Sequence, residues 1–257
     1  MVLLQESCYP SLIEMIDGME LNTLFARSVL TKDVEGTVYA DDGERPTSYY
    51  IAHSYGMTLL FGDSGNERFC TDLRDHFKDL KKDEWLQAYP DSWYPFLREL
   101  AAEGIAEEYS RLNFTFDPAR FQAGNGEVDP AACGVERTPV ELVGSLEGTV
   151  IPRDFWAEGS YSKCVGFTAF VDGEPASTAF AAYLHGDKLE MGIETAERYR
   201  GKGLAKAVSV ALIRYCLANG LTPDWSCRYE NTGSVRLAEK LGFVQSRKLP
   251  YFHIAAK

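Results

Sequence analysis

The stretch Glu194-Thr195-Ala196-Glu197-Arg198-Tyr199-Arg200-Gly201-Lys202-Gly203-Leu204-Ala205 lies between an apolar run at 189–193 and an amphipathic run that starts at Leu204. The order it predicts is strand, glycine turn, helix. A helix start leaves its first N–H groups without partners, and the helix dipole adds partial positive charge at the same place. Gly201 and Gly203 let the backbone approach an anion with no Cβ in the way. Arg200 and Lys202 add positive charge beside it. These residues predict a seat for a phosphate or pyrophosphate at the helix start. A P-loop is excluded because Lys202 is followed by Gly203 rather than Ser or Thr. A dinucleotide fingerprint is excluded because Lys206 stands where its third glycine belongs.

Working outward, Leu204, Val208, Ala211, Leu212 and Tyr215 recur at helical spacing, and Asn219-Gly220 is a usual helix end. Before the turn, 164–171 and 178–184 read as strands of a hairpin turning at 172–175. After it come a strand at 224–228, a helix from about 233 to 241 and a strand near 249–254. In the first half, helices are expected near 9–17, 20–30, 65–80 and 91–107, and strands at 37–40, 48–53 and 58–61. Asp129-Pro130-Ala131-Ala132-Cys133-Gly134 has a linker's composition and suggests domains at 1–136 and 137–257. The halves echo each other: Asp42-Gly43-Glu44 and Asp172-Gly173-Glu174 each precede an apolar strand and then a further strand and helix. A decayed duplication gives this pattern, and so do two unrelated hairpins. The first copy carries Asp63-Ser64-Gly65-Asn66 where the second has its cationic loop, so coenzyme binding is not expected there.

A second constellation is Asn231-Thr232-Gly233-Ser234-Val235-Arg236-Leu237-Ala238-Glu239-Lys240-Leu241-Gly242-Phe243. Asn231 can cap the helix, Gly242 can end it and Phe243 can return to the core. Arg200-x-x-Gly203-x-Ala205 followed by this segment resembles the GNAT N-acetyltransferase family, over about residues 140–257. Within the family, Asp224-Trp225-Ser226-Cys227 and the later Leu-Ala-Glu-Lys-Leu-Gly-Phe look most like the subgroup of the zwittermicin A resistance acetyltransferase.

The resemblance implies an α/β (α+β) chain. A GNAT domain with a mixed, splayed sheet follows an N-terminal α/β domain that is a degenerate GNAT-like half if the duplication is real. It implies acetyl-CoA as co-substrate, with the pyrophosphate on Arg200, Gly201, Lys202, Gly203, Leu204 and Ala205. It also implies a backbone N–H near Ile193 to Thr195 polarising the thioester and Asn231 offering its amide. The reaction implied is direct acetyl transfer to the amine of a small molecule. Such an amine has a pKa near 10.4 and must lose a proton before it attacks. Glu194 is the candidate base and Glu190 a second, four residues earlier on the same strand face. Glu194 also reads as a carboxylate favoured by a helix start. Ala238 stands where many family members have an acidic tyrosine, so either Ser234, Tyr229 or Tyr251 supplies a proton or the thiolate leaves unaided. The same gap supports the alternative of a non-catalytic acyl-CoA-binding or regulatory module.

Composition narrows the class. Residues 1–137 hold 12 Lys+Arg against 25 Asp+Glu, and 138–257 hold 14 against 13. An acidic first half disfavours nucleic acid, whose binding relies on Lys and Arg. The start lacks a signal peptide and no apolar run reaches ~20 residues, so a cytoplasmic protein with no membrane partner is expected. The six scattered cysteines have no zinc spacing and read as reduced thiols, Cys227 among the core, with no metal site. A monomer or a homodimer is expected.

Overall fold

The computed structural model describes residues 1–257, apart from the side chain of Glu158. The chain divides into two compact units. The first comprises Met1–Arg111 with Arg228–Glu230 and Lys248–Lys257, the second Leu112–Cys227 with Asn231–Arg247. The second unit thus begins near residue 112, ahead of the expected boundary at 136/137. The Pro/Gly stretch folds inside it as a 310 turn, Ala131–Cys133, closed by Gly134 in the left-handed region.

In the first unit the elements run β1 (Val2–Leu3), α1 (Tyr9–Asp17), α2 (Leu24–Leu30), β2 (Gly36–Ala40), β3 (Ser48–His53), β4 (Met57–Gly62), α3 (Glu67–Lys78), β5 (Glu84–Tyr89) and α4 (Tyr94–Ala102). β6 (Glu107–Phe116) starts here and ends in the second unit. Helix α4 stops well short of the expected 107 because Gly104, at φ 73°, turns the chain back after it. Strands β1 to β4 pair antiparallel, and β5 is parallel to β4 along their full length, from Met57↔Trp85 to Phe61↔Tyr89. The last strand of the chain then pairs with β5 through Phe252↔Leu86. Tyr50, Leu60, Phe69, Leu73, Phe77, Leu86, Trp93, Leu97 and Phe252 fill the core beneath.

One of the polar side chains buried in this unit is a carboxyl. Glu84 is buried and accepts the Tyr50 hydroxyl. Burial pushes its carboxyl up to about 7, against a smaller opposite pull from the Tyr50 hydrogen bond. The folded form therefore holds a proton that the unfolded chain releases near pH 4.5. The stabilisation is complete below that pH and is lost as pH rises towards 7 and past it, on the order of 3 kcal/mol for this shift. In urea unfolding, the parent's stability relative to Glu84→Gln, which keeps an acceptor for Tyr50, is expected to fall between pH 5 and 7; the difference cancels the opposite contribution of His53, whose pKa burial lowers to about 4 in both proteins. Parallel pH curves for the two proteins would refute this.

The second unit continues with α5 (Pro118–Asn125), β7 (Val135–Arg137), α6 (Val140–Val143), β8 (Gly166–Val171), β9 (Glu174–His185), β10 (Lys188–Thr195), α7 (Leu204–Ala218), β11 (Thr222–Arg228), α8 (Thr232–Lys240) and β12 (Phe243–Ile254). Its strands lie in the order β6-β11-β10-β9-β8-β7. β7 to β10 are antiparallel neighbours and β11 is parallel to β10, so the sheet is mixed. Read by position, the first unit's order β1-β2-β3-β4-β5-β12 is the same, with α3 and α7 in equivalent crossovers. Each unit takes as its sixth strand one whose other end belongs to the other unit. That exchange is why no linker-like stretch marks the division. Helix α7 buries Ala207, Val210, Ile213 and Cys216 in addition to the predicted Leu204, Val208 and Leu212. Its apolar face is wide because it packs across β7 to β10 rather than along one seam.

Candidate active site

The central parallel pair of the second unit does not stay together. β10 and β11 are in register at Lys188↔Thr222, Leu189↔Pro223 and Glu190↔Asp224, and the ladder ends there. On its other side β10 remains paired with β9 as far as Thr195↔Ser177. At Glu190/Met191 that register slips, with partners Tyr183 and then Ala181. The extra β9 residue makes a bulge, which increases local twist and turns the end of β10 away from β11. The mixed sheet is therefore splayed. The parting leaves two strand edges whose N–H and C=O groups can accept an extended ligand as an added strand would.

Alternation sorts the side chains of the parted strands. Leu189, Met191, Trp225 and Cys227 belong to the apolar cluster that includes α7, with Ile193 packed against it. Glu190, Gly192 and Glu194 take the opposite face. Ser226 of β11 shares that face, since its Oγ donates to Glu190 Oε1 at 2.9 Å. Glu190 is buried, at the last rung before the strands separate. Cys227 is a buried thiol, and all six cysteines are free.

The glycine turn follows β10. Gly201 and Gly203 have φ of 77° and 81°, and a Cβ on either would meet nothing within 4 Å. Both are glycine for backbone conformation and the space outside is open. Helix α7 starts at Gly203 with no side-chain cap, unlike α3, α5 and α8, which are capped by Asn66, Asp117 and Asn231. The N–H groups of Leu204 and Ala205 precede the first bonds returned to Gly203 O, from Lys206 and Ala207. Lys202 lies over the Tyr199 ring at 5.1 Å and Arg198 at 4.9 Å. Arg200 folds back instead: its Nε donates to Thr195 O at 3.2 Å and its guanidinium lies 3.7 Å from Glu194.

Glu194 has a crowded carboxylate. Oε2 accepts from Thr149 N and Thr149 Oγ1, both at 2.8 Å, and from Val150 N at 3.1 Å. Oε1 accepts from Thr195 N at 3.0 Å. Burial alone would raise its pKa, but these donors outweigh it and hold the carboxyl below the usual range. Thr195 Oγ1 is shared with Ser177 Oγ at 2.7 Å. At the other motif, Asn231 Oδ1 accepts from Ser234 N at 3.1 Å, and Ser234 Oγ accepts from the Trp225 indole at 3.2 Å. Ala238 is completely buried, and as an alanine it offers no acidic group at that position. The structure thus gathers Ile193 to Ala205 along one strand end and turn, with Asn231 and Ser234 at the end of the neighbouring strand. The three donors from 149–150 carry no motif and were not visible in the sequence.

The first unit lacks both features. β4 and β5 stay paired throughout, and its crossover helix is capped by Asn66, whose Nδ2 bonds Asp41 while Asp63 accepts from Gly65 N.

A mixed sheet parted beside an uncapped glycine turn is the frame of an acyltransferase. The chain belongs to the GNAT acetyltransferase family, whose sequence profile matches residues 14–252, and is an N-acetyltransferase. It is 29% identical over 242 residues to a Bacillus subtilis (strain 168) protein named Uncharacterized N-acetyltransferase YdfB, with 91% of each chain covered. A GCN5-related N-acetyltransferase-like protein from Streptococcus suis 89/1591 has a similar fold, with TM-score 0.71 at 20% identity over 97% of this chain and 100% of that one. A tandem GNAT protein from the clavulanic acid biosynthesis pathway has TM-score 0.57 at 14% identity, over 98% and 96%. Enzymes of this family use acetyl-CoA as co-substrate. Among the described residues no group of His, Cys, Asp and Glu could hold a metal ion, and no helix is long and apolar enough to cross a membrane.

Proposed function

We propose that this protein transfers an acetyl group from acetyl-CoA to the amine of a small molecule, in the second unit, between β10 and β11. The observation that carries the reading is the end of the β10–β11 ladder at Glu190↔Asp224, with β10 running on to the glycine turn and the uncapped start of α7. Gly201, Lys202, Gly203, Leu204 and Ala205 hold the pyrophosphate through backbone N–H groups and the helix start, with Arg200 and Arg198 adding charge. The β10 edge at Ile193 to Thr195 holds the pantetheine arm, and Asn231 caps the helix that closes the far side. Acetyl-CoA supplies the activated acyl group when bound.

Glu190 is the proton acceptor in this reading, with Ser226 orienting its carboxylate. It faces the parting, whereas the Glu194 oxygens are taken by backbone donors and its lowered pKa makes it a weaker base. Ser234 keeps its hydroxyl proton while accepting from Trp225, and donates it as a hydrogen bond to the leaving thiolate in place of the missing tyrosine, the thiolate taking its proton from solvent. The first unit is a duplicate that lost its coenzyme site, which its closed β4–β5 ladder and acidic turn support. The order Asp224-Trp225-Ser226-Cys227 supports kinship with the zwittermicin A resistance-like subgroup.

The test is calorimetric titration with acetyl-CoA of the parent and of Arg200→Glu, Gly203→Glu, which puts carboxylates at the pyrophosphate seat. Binding by the parent and its loss in a variant of unchanged circular dichroism is expected. No binding by the parent would end the reading. A second reading, a non-catalytic acyl-CoA-binding module, is favoured by the buried Ala238. It predicts coenzyme binding with no release of the coenzyme thiol when any amine is added.

A further inference from the structure

Between α6 and β8 the chain runs through residues 144–165 with only two 310 turns, Pro152–Asp154 and Glu158–Lys163, among its described residues. A stretch of that length without a strand or α-helix needs side-chain anchors to hold a shape. Phe155 packs on Phe180 and Tyr183 at 5.6 and 5.4 Å between ring centres, and the Trp156 indole donates to Ala181 O at 2.6 Å. Phe180 lies over Gly192, where a Cβ would come within 2.4 Å of its ring. The stretch therefore covers the sheet face that carries Glu190, Gly192 and Glu194.

Its other anchor is Glu194. Three donors from Thr149 and Val150 converge on one carboxylate oxygen, while the second oxygen faces Thr195 N and Arg200. Gly148 makes the approach possible, since a Cβ there would lie 2.4 Å from Glu194 Cγ and its φ is 148°. The Glu194 carbonyl is itself held by Ser177 Oγ at 3.1 Å. A carboxylate at the end of the coenzyme strand is thus gripped from one side by the covering segment and from the other by the first cation of the glycine turn.

We propose that Glu194 is a positioning residue that clasps residues 148–150 against the end of β10 and so sets the wall of the amine site. The assignment of the wall to the amine rests on the acetyltransferase reading; the clasp does not. Through Arg200 the clasp also ties that wall to the pyrophosphate turn, so an anion drawing on Arg200 acts on the grip of residues 148–150.

Three variants test it: Glu194→Gln, Glu194→Ala and Thr149→Val, the last removing one donor and leaving the carboxylate in place. Amide hydrogen exchange is read on the full protein with no ligand added. Exchange at Thr149 and Val150 is expected to rise about ten- to hundredfold in Glu194→Ala, as for loss of hydrogen bonds to a charged acceptor, while β8 and β9 keep their protection. Glu194→Gln and Thr149→Val should fall between. With the amine found by screening, KM for that amine should rise about tenfold while the pH profile of kcat keeps its shape. Unchanged exchange at 149 and 150 in Glu194→Gln and Thr149→Val overturns the clasp. Loss of the acidic limb of kcat with KM unchanged overturns it too, and makes Glu194 the base. If the parent binds no acetyl-CoA, the acetyltransferase reading fails, yet the exchange data still decide the clasp.

Discussion

Glu190→Gln should lower kcat by about 10²–10⁴, the range for removing a general base, and leave acetyl-CoA affinity within about twofold. The substitution preserves shape. A glutamine carbonyl can still accept the Ser226 hydroxyl that now bonds Glu190 Oε1 at 2.9 Å, so the floor of the parting keeps its packing. The basicity and the negative charge are removed together. An alkyl amine with a pKa near 10.4 is about one part in a thousand neutral at pH 7.4, so an enzyme without a proton acceptor must wait for that fraction. The variant's kcat should therefore recover as pH rises towards 10, while the parent's curve flattens earlier. Thiol release measured from pH 6 to 10, with calorimetry for the coenzyme, separates the outcomes. A variant with parental kcat at neutral pH would remove Glu190 from the chemistry.

Gly242→Ala is expected to cost on the order of 3 kcal/mol or more, combining backbone strain with overpacking that each run to ~1–3 kcal/mol. Gly242 follows α8 at φ 90°, and a Cβ there would lie 2.6 Å from Phe121 N, 2.9 Å from Phe121 Cα and 3.0 Å from Asp117 O. Those are backbone atoms of the α5 start. They are held by Asp117 N donating to Gly242 O at 3.0 Å and by the Asp117 side chain capping Ala119 and Arg120. Gly220→Ala is the control. Its φ is 68° but nothing lies within 4 Å of its Cβ, so it should lose only the strain, ~1 kcal/mol. Urea midpoints for the two variants, with unchanged slopes, give the difference directly. Equal losses would mean that crowding at Gly242 is relieved by movement of α5.

Local signals carried most of the second unit. Asp172-Gly173 and Gly186 mark the hairpin turns where the structure has them, and Asn219-Gly220 ends α7. The first unit was harder to read. β5 went unseen because Glu84-Trp85-Leu86-Gln87-Ala88-Tyr89 buries Glu84 and Gln87 along with its apolar side chains, which breaks any alternating pattern. β6 was partly masked by a helix extended through Gly104, although Leu112, Phe114 and Phe116 alternate with polar neighbours. The exchange of β6 and β12 could not be read at all, since pairing with β5 or β11 is chosen by edge complementarity between segments more than 100 residues apart.

For the site, the chain by itself determined the glycine turn, the helix it opens and the Asn231 cap, because glycine at positive φ and a side-chain cap are decisions made within a few residues. The tertiary structure decided where β10 parts from β11, since that depends on a bulge in β9 between Ala181 and Tyr183, opposite Glu190 and Met191. It also decided what the carboxylates do. Glu190 and Glu194 are the same residue type, four apart on one face. One bonds a strand hydroxyl at the point of parting, while the other is gripped by the backbone of residues 149 and 150, which lie 45 and 44 positions away in sequence. A carboxylate's acidity and reach follow from its neighbours in space, and those neighbours are set only when the chain has folded.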